Sequence, residues 1–393
     1  MALDISRVQD ALRREGLDGW LLYDFHGSNP IAARVTGLDR AGKMTTRRWY
    51  YLIPASGEPR ALVHAIESHN LDILPGSKRV YGQRRLLESG LTEILSGAKR
   101  VAMEYSPECA IPYVSRVDAG TVELVRRLGV DVVSSGDLIQ EFEAVWDEEA
   151  IASHRAASEA LYRIKDRAFA MVADRLRKGE RTTEYDVQRA MVGWFTDEGL
   201  VAGDPPNVSA QQNAGDPHYS ATAETHREIR PDELLLIDLW GKLNRPASVY
   251  ADITWMAYTG KTVPEEFVKA FGVITAGRDA AVALVEQAAR DGRDIRGFEV
   301  DRACRGVIDA AGYGDKFVHR TGHSLGEEVH GNGVHMDDYE THDDRRLLAG
   351  TGFTIEPGVY TSSWGMRTEI NMVVGAGDAT VTGPRQTEIL TLG

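Results

Sequence analysis

Cysteine is nearly absent: the 393 residues include two, Cys109 and Cys304. They lie far apart and in no paired motif, so a disulfide framework is excluded and a reducing compartment fits. Both read as small buried fillers rather than nucleophiles or ligands. No apolar run reaches the roughly 18 residues that a membrane-spanning helix requires. Basic residues are in deficit, 45 Lys and Arg against 59 Asp and Glu, for a formal net charge of −14. That balance argues against general nucleic-acid binding and leaves carboxylates to spare for a cation site. The opening residues MALDISRVQDALRREGLDGW lack a basic segment followed by a long apolar one. No signal peptide is read there, and the cytoplasm is the expected location.

At roughly 100–200 residues per domain, the length predicts two domains, with three as the alternative. A chain this long, 42% hydrophobic, can bury a large core without disulfides. The first part alternates helix and strand. Ile5 to Glu15 has helical apolar spacing with Gly16 as a stop, and Gly19 to Tyr23 reads as a buried strand. Further strands are predicted at Trp49–Pro54, Arg60–His64, Lys99–Tyr105 and Val130–Ser134. From Phe142 to Lys178 the pattern turns helical, placing a boundary near Val145: residues 1–145 form one α/β domain and 146–393 a second, α+β overall. Thr182 is the expected N-cap of a helix over Glu184–Glu198. Strands follow at Leu234–Trp240, Ser248–Tyr258, Gly352–Ile355, Thr368–Val374 and Thr387–Thr391, with helices over Pro264–Ala289 and Val300–Ala311.

Several charged residues stand in places where charge is costly. Asp238 ends the apolar run Leu234–Asp238, and Asp252 sits in Tyr250-Ala-Asp-Ile-Thr254. An aspartate inside an apolar strand is expensive to bury unless its charge is compensated. Two such strands joined by a short polar loop predict a hairpin that brings both carboxylates together, and cations between them would remove their repulsion. Glu356 ends Phe353-Thr-Ile-Glu and precedes Pro357-Gly358. Glu369 interrupts the central-strand pattern of Met366–Val374. His323 lies in the glycine-flanked stretch His319–Gly326. Four carboxylates and one imidazole suit two hard or borderline divalent ions such as Mn²⁺, Co²⁺ or Zn²⁺. Two such ions about 3.5–4 Å apart form a clamp for hydrolysis.

At these residues the sequence resembles the prolidase / aminopeptidase P / methionine aminopeptidase family. The segments LLIDLWGK, YADITW, HRTGHSLGEEVH, TIEPGVY and MRTEINMVV occur in the family's order, and the resemblance covers roughly Val145 to Gly393. It implies a C-terminal pita-bread domain, a curved antiparallel sheet covered by helices, holding two metal ions. Asp238 would bind one ion, Asp252 and Glu369 would bridge the pair, and His323 and Glu356 would bind the second. Glu356 would also serve as a proton relay. His218 would reach the substrate near the scissile group. His330 would stabilise the gem-diolate and pass a proton, and His319 would lie on the substrate side. Arg367 would meet a substrate carboxylate, a task that suits a guanidinium fork. Tyr360 falls where the family often has an active-site tyrosine, and core packing explains it nearly as well. More loosely, the first part resembles the smaller N-terminal domain of prolidases and creatinases, which methionine aminopeptidases lack.

The resemblance has departures. Asp238 and Asp252 are further apart than is usual, which implies a longer hairpin loop at Lys242–Ser248. An arginine normally found after the second aspartate is Trp255 here, putting local packing in question. The stretch His335–Asp344 is acidic and histidine-rich; it reads as a solvated loop, with a third metal site as the alternative. The implied activity is cleavage of Xaa-Pro dipeptides, with short proline-containing peptides as the partners, in a homodimer that binds neither nucleic acid nor membrane. The alternatives are an aminopeptidase P acting on longer peptides, and a metal-free creatinase-like hydrolase or binding protein. A dipeptidase must hold the free carboxylate of proline, and Arg47 and Arg48 are the candidates for that role.

Overall fold

The computed structural model describes residues 3–39 and 45–393. The chain divides into two compact units, Met1–Glu143 and Ala144–Gly393.

In the first unit, helices and strands alternate as the apolar spacing requires. They are α1 (Ile5–Arg14), β1 (Gly19–Asp24), α2 (Pro30–Thr36), β2 (Trp49–Pro54), β3 (Arg60–His64), β4 (Ser77–Tyr81), α3 (Arg84–Ile94), β5 (Arg100–Met103), α4 (Ala119–Arg127), β6 (Asp131–Ser134) and α5 (Gly136–Glu143). The strands form one mixed sheet in the order β4-β3-β2-β1-β5-β6. Strands β1 and β2 are buried along their whole length, as expected for central strands covered on both faces. Strand β4 reads SKRVY, mostly exposed at the sheet edge. Its polarity hides it from apolar patterning. Cys304 is buried as expected, but Cys109 is exposed. It sits in a tight 3₁₀ turn after Ser106, with φ +56°, where the chain runs over the surface.

The second unit begins after a break. The predicted continuous helix from Phe142 is two helices, because α5 ends at Glu143 and α6 (Glu148–Lys178) starts anew with Asp147 capping the Ala150 amide. Helix α7 (Glu184–Asp197) is capped by Thr183, one residue later than expected, in a reciprocal capping box with Asp186. Then come β7 (Leu200–Val201), β8 (Asn207–Ala210), β9 (Leu234–Leu243), β10 (Ala251–Tyr258), α8 (Glu265–Asp291), α9 (Gly297–Ala310) and β11 (Ser324–Leu325). The chain ends with β12 (Gly352–Ile355), β13 (Gly358–Tyr360), β14 (Gly365–Arg367), β15 (Ile370–Val374), β16 (Ala379–Val381) and β17 (Leu390–Thr391). One sheet runs β17-β10-β9-β7 with β8 also on β9; a second runs β11-β12-β15-β16; β13 and β14 form a hairpin. Helices α8 and α9 pack on one side, burying Phe271, Ile274, Val300 and Ile308 against Phe353, Met366 and Met372. Helix α6 packs on the other side, with Leu161, Ile164 and Ala168 against Leu235, Ile237 and Ile253.

Trp255 explains the missing arginine. It points to the α6 side, where the Lys165 ammonium lies 3.8 Å from its ring centroid. The buried lysine is held by this cation–π contact and by an ion pair with Asp166 at 2.5 Å, so the packing is closed without the arginine. Among the described residues, no helix is long and apolar enough to cross a membrane.

Candidate metal centre

Register sets the first two carboxylates. Strands β9 and β10 pair antiparallel with Asp238 opposite Thr254. Side chains alternate along a strand, so Asp252, two residues from Thr254, shares its face with Asp238. Behind that face lies α6, whose apolar packing leaves the opposite side to the acids. Asp238 and Asp252 are 8% and 5% exposed.

The remaining groups arrive on the second sheet. β11 pairs with β12 through Ser324 and Phe353, and the Thr354 amide donates to the His323 carbonyl at 2.9 Å. This sets His323, just before β11, beside Glu356, just after β12. The Thr354 hydroxyl accepts from the His323 amide at 2.9 Å and lies 3.1 Å from Glu356 Oε1. Glu369 stands in the break between β14 and β15, not inside a strand, and its amide donates to the Thr254 carbonyl at 3.2 Å. The two sheets thereby meet at the acids.

His323 Nε2 lies 3.5 Å from Asp252 Oδ2 and 3.4 Å from Glu356 Oε1. Asp252, His323 and Glu369 each offer a ligand atom within 4.8 Å of one another, the one such group among the described residues. Asp252 Oδ1 is buried with no hydrogen-bond partner. Burial, and then the negative charges around it, push Asp252 and Glu369 well above the usual carboxylate range. Burial also raises Asp238, though the Arg367 guanidinium pulls the other way. Burial would raise Glu356 too, but His323, His319 and Arg367 outweigh it and hold this carboxyl below its ordinary value. A buried oxygen without a donor, among acids that repel one another beside one imidazole, is the donor set that divalent cations satisfy. Asp252, His323 and Glu369 therefore fit a divalent metal ion, with Asp238 and Glu356 beside them.

A polar chain runs beside the centre. Arg367 pairs with Asp238, donates from Nε to the Thr254 hydroxyl at 3.0 Å and from Nη1 to the Tyr360 oxygen at 3.3 Å. Tyr360 lies 2.8 Å from His319 Nε2, while His319 Nδ1 lies 2.7 Å from the Arg320 carbonyl. A carbonyl can only accept, so Nδ1 carries the proton and Nε2 accepts from the tyrosine. Tyr360 is thus part of a hydrogen-bonded network, beyond core packing. The His330 ring meets His323 edge-on at 4.4 Å between centroids. His218 is exposed in the loop between β8 and β9. Arg47 and Arg48 belong to the first unit, in the segment leading into β2; the Arg47 amide donates to Glu67 Oε2 at 3.1 Å.

Two threonines central to this geometry escape sequence reasoning. Thr254 lies 3.0 Å from Asp238 Oδ1 and 2.7 Å from Glu369 Oε2. Thr354 links His323 and Glu356. Their signal is position: each is two residues from a candidate ligand, Thr254 from Asp252 and Thr354 from Glu356.

The stretch His335–Asp344 is solvated only in part: Tyr339, Glu340, His342 and Asp344 are exposed, but other members are internal. His335, Asp337 and Asp343 are wholly buried. Asp343 pairs with Arg345 at 2.6 Å and accepts the His335 amide at 2.8 Å. Asp337 accepts the amides of Tyr339, Glu340 and Thr341. These acids are consumed by the turn itself, which leaves them no role as a third metal site.

Residues 156–376 match metallopeptidase family M24. That is more than half of the chain, and the chain belongs to this family. It is 29% identical over 252 residues to a probable dipeptidase PepE of Mycobacterium bovis, covering 64% of this chain and 61% of that protein. The match thus spans about three fifths of that relative's length. A Xaa-Pro dipeptidase of Lactobacillus helveticus is 34% identical over 163 residues, 41% of this chain and 40% of that one. Among solved structures, the dipeptidase PepE of Mycobacterium ulcerans superposes with a TM-score of 0.68 at 22% identity, covering 99% of this chain and 96% of the other. The fold is that of the pita-bread peptidases.

Proposed function

We propose that this protein hydrolyses the bond between an N-terminal residue and proline, acting on Xaa-Pro dipeptides. Two divalent ions, manganese foremost, would be held by Asp238, Asp252, His323, Glu356 and Glu369. The observation that carries this reading is the convergence of Asp252, His323 and Glu369 around a buried oxygen with no protein donor. Family membership and the Xaa-Pro dipeptidase relative supply the substrate class.

When bound, the ions supply Lewis acidity and a water nucleophile at neutral pH. The chain supplies the rest. Glu356, held ionised, takes a proton as general base. His330 and His218 offer donors to a developing oxyanion. Burial pushes the His319 imidazole down to about 4, so it stays neutral and fixes Tyr360 rather than titrating. Arg367 has five N–H groups. Three are directed at Thr254, Tyr360 and Asp238, which leaves two for a substrate carboxylate. Arg47 or Arg48 would hold the carboxylate of proline and exclude longer peptides. Residues 146–393 act as the catalytic domain, with 1–145 as a creatinase/prolidase-like partner domain, in a cytoplasmic homodimer.

The test is a length series of Xaa-Pro substrates with manganese present and with chelator. Dipeptide cleavage that chelation abolishes is the expected result, with the dipeptide preference lost in Arg47→Ala or Arg48→Ala. Activity indifferent to chelation overturns the metal reading; preference for tripeptides overturns the dipeptidase reading.

A further inference from the structure

Glu184 is an acid that the metal centre does not use. It sits in the first turn of α7, where an acidic residue ordinarily faces water and the helix dipole. Here it is completely buried. Among the described residues, no ion pair to it is formed. Four donors converge on it instead: the Ala210 amide at 2.7 Å, the Arg227 amide at 2.8 Å, the Asn213 side-chain amide at 3.0 Å and the Tyr219 hydroxyl at 2.6 Å. A buried carboxylate without a counter-ion is costly, and it is stabilised only by donors that the fold holds in place.

All four donors belong to one loop. Ala210 ends β8, Arg227 closes the far side by pairing its neighbour Glu228 with Thr183, and Asn213 and Tyr219 come from the interior. His218 is therefore next to a residue anchored on Glu184. Its own amide is fixed by Asp216 Oδ1 at 3.0 Å. The base of the loop lies against the β13–β14 hairpin that carries Tyr360 and Arg367. A Cβ on Gly365 would meet the Ala214 carbonyl at 1.8 Å, and one on Gly215 would meet the Thr361 carbonyl at 2.2 Å. The two glycines permit this approach. Burial and the adjacent Glu184 raise the Tyr219 hydroxyl above its ordinary range, so it remains a donor.

We propose that Glu184 and Tyr219 are positioning residues for His218: the carboxylate gathers the loop, and the tyrosine hydroxyl sets the reach of the imidazole beside it. This rests on the reading of the site as a peptidase centre in which His218 meets the substrate. Tyr219→Phe removes one donor and no atom of the metal-ligand cluster, so it tests the idea with the fold intact.

Wild type, Tyr219→Phe, His218→Ala and the double variant are compared for kcat and KM on an Xaa-Pro dipeptide with manganese. Tyr219→Phe should lower kcat/KM about tenfold in the wild-type background, the scale of a small misplacement. In the His218→Ala background it should cost less than about twofold, because the two act as one unit. Equal losses in both backgrounds, or none in the wild type, overturn the proposal. Hydrogen exchange over residues 210–227, in Tyr219→Phe and Glu184→Gln, reads the loop without reference to activity. Faster exchange confined to that segment by about tenfold is expected; unchanged exchange in both variants overturns the anchoring role. Should the wild type cleave no Xaa-Pro peptide, the functional reading fails, and the exchange measurement decides the anchoring role alone.

Discussion

Thr254 stands directly across the β9–β10 hairpin from Asp238, and its hydroxyl lies 3.0 Å from one acid and 2.7 Å from another, Glu369. It also accepts from Arg367 Nε. One small side chain thereby orients two candidate ligands and the guanidinium that balances them. Thr254→Val keeps shape and strand preference but removes the hydroxyl. The affinity for Mn²⁺ should fall about 10–100-fold, the usual cost of losing a group that orients ligands. Calorimetric titration checks this, and an unchanged affinity would show that the strands alone orient the acids.

The crowding of acids predicts an inverted mutational effect. Without metal, Asp252 and Glu369 are raised by burial and by neighbouring carboxylates. A carboxyl whose pKa is higher folded than unfolded contributes stability below its unfolded pKa and loses it as pH rises through the folded value. The contribution of these two carboxyls to the stability of the metal-free protein should therefore fall as pH rises above about 4–5, the ordinary carboxylate range. Asp252→Asn should make it more stable at neutral pH, by about 1 kcal/mol or more. Manganese at about 100 times its Kd should stabilise the wild type by roughly 2.7 kcal/mol and the variant far less. Melting temperatures with chelator and with Mn²⁺ measure both. A chelated variant less stable than chelated wild type contradicts the repulsion argument.

The part of this centre that sequence discloses is its unbalanced charge. Asp238 and Asp252 stand out because an acid in an apolar strand needs a reason, and the strand period then predicts a shared face. Glu184 gives no such signal, since an acid in a first helical turn has an ordinary explanation at the surface. Its burial depends on a loop that returns about 25–45 residues later, a long-range closure that local patterns do not encode. The acidic stretch at 335–344 misleads for the same reason. The Asp343–Arg345 pair is internal, in a stretch whose Met336 pairs with Gly322, a contact that local patterns do not encode. Strand β4 is missed because an edge strand carries the polar side chains of a loop.

Tyr360 couples His319 to Arg367, and burial pushes its own hydroxyl up to about 12, so it remains a donor at every working pH. Tyr360→Phe strands His319 Nε2 without a proton and releases one N–H of the guanidinium. About 1–3 kcal/mol of stability should be lost for the unsatisfied nitrogen, and kcat/KM should fall about tenfold if Arg367 is misaligned toward the substrate. Thermal melts and steady-state kinetics on one preparation check this. Wild-type stability in Tyr360→Phe would mean that water replaces the hydroxyl.

His154 gives the protein a second pH dependence, away from the metal centre. Its side chain is wholly buried in α6, with Nδ1 2.8 Å from the Tyr250 carbonyl and Nε2 2.8 Å from the Thr382 hydroxyl. The first contact requires a proton on Nδ1, and the Thr382 hydroxyl is able to donate to the Nε2 lone pair, so both contacts suit a neutral ring. Burial pushes it down to about 4 from an ordinary 6.5. Between these values the unfolded chain binds a proton that the folded protein refuses, so stability rises with pH and is lost as pH falls from about 6.5 to about 4. At 1.36 kcal/mol per unit, the full loss is about 3 kcal/mol. His154→Asn keeps a donor near the Tyr250 carbonyl and cannot titrate. Urea unfolding in chelator at pH 7.5 and 4.5 should show the wild type losing about 2.5 kcal/mol more than the variant across that interval, most of the full effect. Parallel losses in the two proteins would place the acid sensitivity in the carboxylates instead.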